Sequence, residues 1–495
     1  MKCTVLNFTR FCISFTLGLL TFIHTSHASR APKPPSFIYE IFTQSFQDSN
    51  GDQVGDLEGV RSRLDYISSL GADAIWLTPI FESPSYHGYD VSDYESIKRV
   101  YGDITNLKNL LADAHARNIR VLLDLPINHT SIQNDWFNHQ DFYLWSPVPL
   151  WLPNQWFPLN GEYYFSSFSP RMPDLNWRNP AVLTQVEAVF SYWTTMGIDG
   201  FRLDAAKFLV KGPRGEQNTP ETHAIWKKIT NFVKKSFPET YFIGEVWDSF
   251  ENIAAYYGNG DELDAAFDFP VEDALRSSIH TQNSAVLVDA LNHQIATARN
   301  PRFAAPFAGN HDLPRLASVL DLNLSEQMLA ALLVFALPGT PVVYYGDEIG
   351  MPAGDSSQFP GDLSKRTPMD WSEVDREDQD EGSLLNAYRE LARLRHAHPA
   401  LFSGTISQVQ NLSDAGISFL RTDPMTNESV QVVLNLGETF LTVEETGSVI
   451  YGSISNHQLG PKQGAILLKH SQGDRPFIHL KKHPSERLVP RPPLA

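Results

Sequence analysis

The chain has almost no cysteine. Of 495 residues only Cys3 and Cys12 are cysteines, and both fall within the first 28. If that stretch is removed, no thiol remains, which excludes a catalytic cysteine, a disulfide framework and thiolate-bound zinc. No later segment is long and apolar enough for a membrane helix, so no span is expected in the mature chain. Positive charge is scarce: 39 Lys and Arg face 57 Asp and Glu, a net charge of −18. Such a balance disfavours nucleic acid and anionic membranes, and it suits a neutral substrate. No internal repeat is present.

The first residues carry what an export signal needs. Lys2 and Arg10 supply positive charge, Phe11 to Ile23 is apolar, and Ser26-His27-Ala28 is a small-x-small cleavage site. Cleavage after Ala28 would remove two positive charges and no negative ones, moving the balance from −18 to −20. The expected location is the periplasm or the medium, and the expected state is a monomer.

Past a Pro-rich lead-in, short apolar runs alternate with helix-like stretches. The strand candidates are Phe37–Phe42, Ala74–Thr78, Arg120–Leu125, Ile198–Asp204, Tyr241–Glu245, Ala265–Phe269, Phe303–Ala308 and Pro341–Tyr345. Segments such as "ITNLKNLLADAHARN" and "AVLTQVEAVFSYWTTMG" between them repeat apolar positions three and four apart. Gly71 and Gly197 stand where helix C-caps belong. The expected fold is α/β, a (β/α)8 TIM barrel, with a doubly wound sheet as the rival. The barrel is expected over 36–129 and 178–398. Residues 130–177, rich in Trp, Tyr, Phe and Pro, form a short irregular insertion after the third strand. Its Trp145, Trp151, Trp156, Tyr163 and Tyr164 would be either a ligand-stacking wall or a private core. Alternating strands over 399–470 suggest a C-terminal β-sandwich domain, and 471–495 a flexible tail.

One stretch, "IDGFRLDAAKF", is unusual for an interior strand. Strand side chains alternate faces, so Arg202 and Asp204 share one face. The pair is either a buried structural salt bridge or a site. In a TIM barrel the chemistry sits at the C-terminal ends of the strands. Read in order, those ends carry Asp124 with Asn128-His129, Asp204, Glu245, and Asn310-His311-Asp312. Glycoside hydrolysis needs two carboxyls in different protonation states. Arg202 would lower the pKa of Asp204 and hold it charged, while acidic neighbours and desolvation would raise that of Glu245.

"DLPINHT", "GFRLDAAKF", "GEVW" and "GNHDLPR" resemble the four sequence regions of the α-amylase family, glycoside hydrolase family 13, in order and spacing. The resemblance implies a retaining α-glucan enzyme. Asp204 would be the nucleophile and Glu245 the acid/base, and Asp312 would stabilise the distorted sugar. His129 and His311 would bind the sugar in subsite −1, Arg202 would orient the nucleophile, and Tyr89 of "HGYD" would stack on the ring. Asp90 would bind sugar hydroxyls or pair with Arg315, and Lys207 would contact the aglycone side. "MPDLNW" resembles the group intermediate between oligo-1,6-glucosidases and neopullulanases. The small Ala205 after the nucleophile goes with α-1,4 cleavage. Phe208, in place of the family's His, and Pro126 depart from the pattern.

In "DSNGDQVGD", oxygen donors fall at alternate positions: Asp48, Asn50, Asp52, the Val54 carbonyl and Asp56. Hard cations want such a set. The stretch starts like an EF-hand, but no Glu stands at the twelfth position. It resembles a structural calcium (Ca2+) site of the oligoglucosidase-like branch; the other reading is a loop of Asx turns. Taken together, the expected activity is α-1,4 cleavage of starch and maltodextrins. An α-glucosidase or neopullulanase-like enzyme is the alternative.

Overall fold

The computed structural model describes residues 32–213, 215–444 and 447–469. The expected signal peptide (1–28) and tail (471–495) lie outside the described residues. All eight strand candidates form, as β1 (Ile38–Ile41), β2 (Ala74–Leu77), β3 (Arg120–Leu125), β4 (Gly200–Leu203), β5 (Tyr241–Gly244), β6 (Ala265–Phe267), β7 (Ala304–Ala305) and β8 (Val342–Tyr344). They pair in parallel in chain order, with β8 returning to β1. The seam between β7 and β8 is closed by two backbone bonds, Thr340 N–H to Ala304 O at 3.0 Å and Val342 N–H to Pro306 O at 2.9 Å. Gly339, at φ +94°, permits this approach, because a Cβ there would sit 1.8 Å from Ala304 O.

Strand alternation sorts the core into two layers. Tyr39, Ile41, Ile75, Val121, Leu123, Phe201, Leu203 and Phe242 face outward into the helical ring. Ile38, Ala74, Trp76, Leu122, Tyr241, Ile243 and Phe267 fill the barrel interior. Glu40, Asp124, Arg202, Asp204 and Glu245 share the parity of this inner set. The interior is therefore apolar low in the barrel and polar at the upper rim. Register decides who meets whom: Arg202 lies opposite Asp124 on β3 and Ile243 on β5.

The helical ring follows the expected caps. The helix Pro180–Met196 starts on Asn179, whose side chain accepts from Ala181 N–H, and ends on Gly197 at φ +111°. Among the described residues no helix is long and apolar enough to cross a membrane.

The insertion is more regular than expected. Trp145–Ser146, Trp156–Leu159 and Glu162–Phe165 form a three-stranded antiparallel sheet. Its hairpin turns on Asn160-Gly161, both at positive φ, which suits a type I′ turn. Phe137 packs on Trp145 at 5.7 Å and on Tyr164 at 5.5 Å, and Trp156 on Trp151 and Phe165 at 5.3 Å each. These rings serve mainly one another, as the private-core reading had it.

After the barrel, Thr405–Ser413, Gly416–Thr422, Ser429–Asn435, Gly447–Tyr451 and Gln463–Lys469 build a five-stranded antiparallel sheet. A small three-stranded sheet accompanies it. Two fully buried arginines tie this region to the barrel. Arg395 donates to the carbonyls of Ser36, Phe335, Leu337 and Leu401, and Arg421 to those of Ala336, Leu401 and Gly404. Ala336 ends the helix Leu324–Ala336, so these cations sit at the negative end of a helix dipole.

Candidate active site

The two residues that made "GFRLD" unusual belong to one network. Arg202, 1% exposed, donates from Nη1 to Asp124 Oδ1 at 2.9 Å and to Asp204 Oδ1 at 2.6 Å. Its Nη2 lies 3.1 Å from Glu245 Oε2. A single guanidinium thus holds carboxylates from the ends of three adjacent strands. The salt bridge is buried, and two of the carboxyls it holds, Asp204 and Glu245, line a cavity. The N–H of Ala205 also donates to Glu245 Oε2 at 2.9 Å. Ala205 pays for that aim with a left-handed backbone, φ +46° and ψ +39°. Strain of this kind clusters at functional positions.

One positive charge cannot neutralise three negative ones. Burial pushes the Asp204 carboxyl up to about 8; Arg202 opposes this, and the carboxylates of Glu245 and Asp124 add to it. Holding Asp204 charged through Arg202 was the expectation; here burial outweighs the arginine. Burial raises the Asp124 carboxyl as well, so the pair of Asp124 and Asp204 beside Arg202 holds a proton at neutral pH.

Across the barrel, Asp312 lies 3.1 Å from His311 Nε2 and 2.8 Å from Arg366 Nη2. Burial acts to raise its pKa, yet these two cations hold it well below the usual carboxylate range. Burial would make His311 neutral, but Asp312 and Glu40 push it up to about 10. At His129 burial outweighs the nearby Asp174 and lowers the pKa to about 4; its Nε2 lies 3.2 Å from the Tyr89 carbonyl. Tyr89 stacks on His311 with centroids 5.6 Å apart and donates to Asp124 Oδ2 at 2.9 Å.

A cavity of about 310 Å3 opens onto this cluster. Tyr89, His129, Asp204, Glu245 and Asp312 line it, as expected. So do His87, Phe168, Met172, Asp362 and Arg366, which the sequence reading did not single out. Arg366 follows β8 and also donates to the His311 carbonyl at 2.9 Å and to Tyr86 Oη at 3.0 Å. From the insertion only Phe168 and Met172 reach the cavity. Phe168 packs against His129 and Phe208.

Three expected residues are placed elsewhere. Arg315 is fully buried: it donates to the Tyr345 carbonyl, lies 3.5 Å from Asp347 and packs on the Tyr344 ring. It meets neither Asp90 nor the cavity, so the pairing with Asp90 does not form. Asp90, 3% exposed, accepts instead from the hydroxyls of Ser83 and Ser85. Lys207 donates to the Trp247 carbonyl at 2.5 Å and lies 3.2 Å from Asp248, outside the cavity lining.

The loop 48–56 turns its oxygens onto its own backbone. Asp48 accepts from the N–H groups of Asn50, Gly51 and Gln53 at 2.7–2.9 Å. Asp52 accepts from Val54 N–H at 2.9 Å. Asp56 caps the helix Leu57–Ser62 through Gly59 N–H and accepts from the Ser49 hydroxyl. Among the described residues no three acidic or histidine side chains are gathered as a metal site.

A parallel barrel whose strand ends gather acids, histidines and one shared arginine around a cavity defines a glycoside hydrolase. The family described as "Alpha amylase, catalytic domain" matches residues 40–404, and the chain belongs to it. Alpha-amylase 3 of Dictyoglomus thermophilum is 34% identical over 459 residues, covering 85% of this chain and 89% of that protein. The trehalose synthase/amylase TreS of Mycolicibacterium smegmatis is 30% identical over 474 residues, covering 77% and 79%. The crystal structure of the alpha-amylase from H. orenii superposes with a TM-score of 0.77 at 30% identity, covering 88% of this chain and 100% of that one. The family holds hydrolases and transferases acting on glycosidic bonds, and this chain is an enzyme of that kind.

Proposed function

We propose that the chain is a retaining α-amylase, cleaving internal α-1,4-glucosidic bonds of starch-like glucans by double displacement, as a monomer. The observation that carries this reading is Arg202, whose two terminal nitrogens hold Asp204 and Glu245 at 2.6 and 3.1 Å. Retaining chemistry needs two carboxyls about 5–5.5 Å apart that share one proton between acid and nucleophile. In the reactive form Asp204 is ionised and attacks the anomeric carbon, and Glu245 gives its proton to the leaving oxygen. The glycosyl–Asp204 ester is then opened by water, which Glu245 deprotonates. Asp312, backed by the fully buried His311, faces the sugar's hydroxyls, and Tyr89 offers its ring. The small Ala205 and the amylase relative support α-1,4 preference.

Soluble starch and maltotriose are digested with wild type and Glu245→Gln, and the products are resolved. Early loss of iodine staining is expected from the wild type, and a drop of orders of magnitude from the variant. Glucose as the first product would favour an α-glucosidase. Near-wild-type rates in the variant would sink the acid/base assignment.

Two further readings belong to this proposal. The sequence 1–28 directs export, and the exported protein should begin at Ser29. The loop 48–56 takes Ca2+, which stabilises it without joining the chemistry. The donor set suits a hard cation in kind; to hold it, Asp48 and Asp52 would leave the backbone N–H groups they now accept from, and Asn50, whose amide NH2 lies 3.3 Å from Asp56, would turn. Chelation should lower Tm, and Asp52→Ala should abolish that response. An unchanged Tm rules the ion out.

A further inference from the structure

Glu40 lies on β1 inside the barrel and is fully buried. Its Oε1 accepts from His311 Nδ1 at 2.6 Å and from the His311 backbone N–H at 3.3 Å. Across the ring, Nε2 lies 2.6 Å from Tyr89 Oη and 3.1 Å from Asp312 Oδ2. The Tyr89 hydroxyl also reaches Asp124 Oδ2 at 2.9 Å. Nε2 thus has an Asp312 carboxylate oxygen within reach of an N–H. Nδ1 faces the Glu40 carboxyl. A carboxyl at each ring nitrogen is the arrangement that favours an imidazolium.

We infer that Glu40 is a positioning residue for the proposed glycosidase reaction: through Nδ1 it keeps His311 charged and aims Nε2–H at Asp312, which lines the cavity. The inference rests on the reading of the site given above. An apolar strand such as "FIYEIF" gains nothing from a buried acid by itself, because burial raises the pKa of Glu40 and only His311 and Arg202 offset it. His311 is faced by Glu40 from β1, by Tyr89 and by its neighbour Asp312. Asp124 and Arg202 lie beyond Tyr89, and Arg366 is on its carbonyl. Asp347, just after β8, lies close enough to feel Glu40's charge, and Arg315 lies 3.5 Å from Asp347. Of these groups Glu40 alone touches Nδ1.

The test is Glu40→Gln, which keeps an oxygen for Nδ1–H and removes the charge. Carboxylates behind metal-bound histidines are worth about 10–100-fold, and an effect of that size is expected for the same geometry here. We expect kcat on starch to fall about that much, with KM within about threefold. The pH dependence separates positioning from plain stability. Without Glu40, His311 loses its proton at lower pH. The ratio of variant to wild-type kcat/KM should therefore fall as pH rises from about 5 to about 8. A flat ratio, or wild-type kcat, overturns the inference. Should the variant not fold, the wild type still decides. In 15N-histidine spectra, with His311 assigned by its loss in His311→Gln, both ring nitrogens should be protonated at about pH 7.5, and a neutral His311 overturns the inference. A wild type inactive on every α-glucan would instead defeat the functional proposal, while the spectra still judge Glu40.

Discussion

Replacing Asp204 with Asn should make the protein more stable, and increasingly so as pH rises. An aspartate in an unfolded chain titrates near 4; in the folded barrel Asp204 is pushed up to about 8. A folded pKa above the unfolded one favours folding only while the group is protonated. The wild type therefore loses stability through this group as pH climbs from about 4 to about 8, and the loss levels off above that. The gap corresponds to a ceiling of about 5–6 kcal/mol at 1.36 kcal/mol per tenfold. The net gain is smaller, because Asn deprives Arg202 of its nearest anion and leaves it Asp124 and Glu245. About 1–3 kcal/mol should remain at pH 8.5, vanishing near pH 4.5. For a folded chain of this size that is roughly 1–3 °C in Tm. Scanning fluorimetry of both proteins at the two pH values measures it; activity, lost for a separate reason, is not the readout. A variant less stable than wild type by the same amount at both pH values would refute the reasoning. Arg202 would then outweigh burial and hold Asp204 ionised, as the sequence alone suggested.

Other perturbations test separate links. Gly339→Ala puts a Cβ 1.8 Å from Ala304 O at the barrel seam; it should cost more than about 3 kcal/mol or abolish folding, read by urea denaturation. Arg421→Met removes a buried cation from three carbonyls and should lower the urea midpoint by an amount worth about 2–5 kcal/mol, with kcat at 25 °C unchanged. Arg366→Leu frees Asp312 of one of its two cations. Because Asp312 is held ionised by those cations, the acid limb of kcat/KM should move to higher pH, and a limb that stays put would mean His311 alone suffices.

The sequence made the frame legible because the frame is built from periodicity. Eight apolar runs separated by capped amphipathic helices admit few arrangements, and parity alone puts Arg202 and Asp204 on one face. Register then adds what parity cannot: that Asp124 stands beside Arg202 on the next strand. Other parts of the site were hidden for reasons that differ. The Asn160-Gly161 hairpin had its signal in plain view, a turn dipeptide between aromatic runs, masked by the irregular composition around it. Arg366 sits in a proline-rich loop after β8, where no period relates position to direction, and only the closed barrel carries it to Asp312. Arg315 shows the converse: a family motif placed it near the substrate, but its side chain turns to Tyr345 and Asp347, in the segment just after β8. Glu40 was the most readable of the missed residues. A single acid in the run Phe37–Phe42, on the parity that faces the barrel axis, costs several kcal/mol to bury unless something cationic meets it. That demand points across the barrel to a partner on another strand end, and His311 is the residue that answers it.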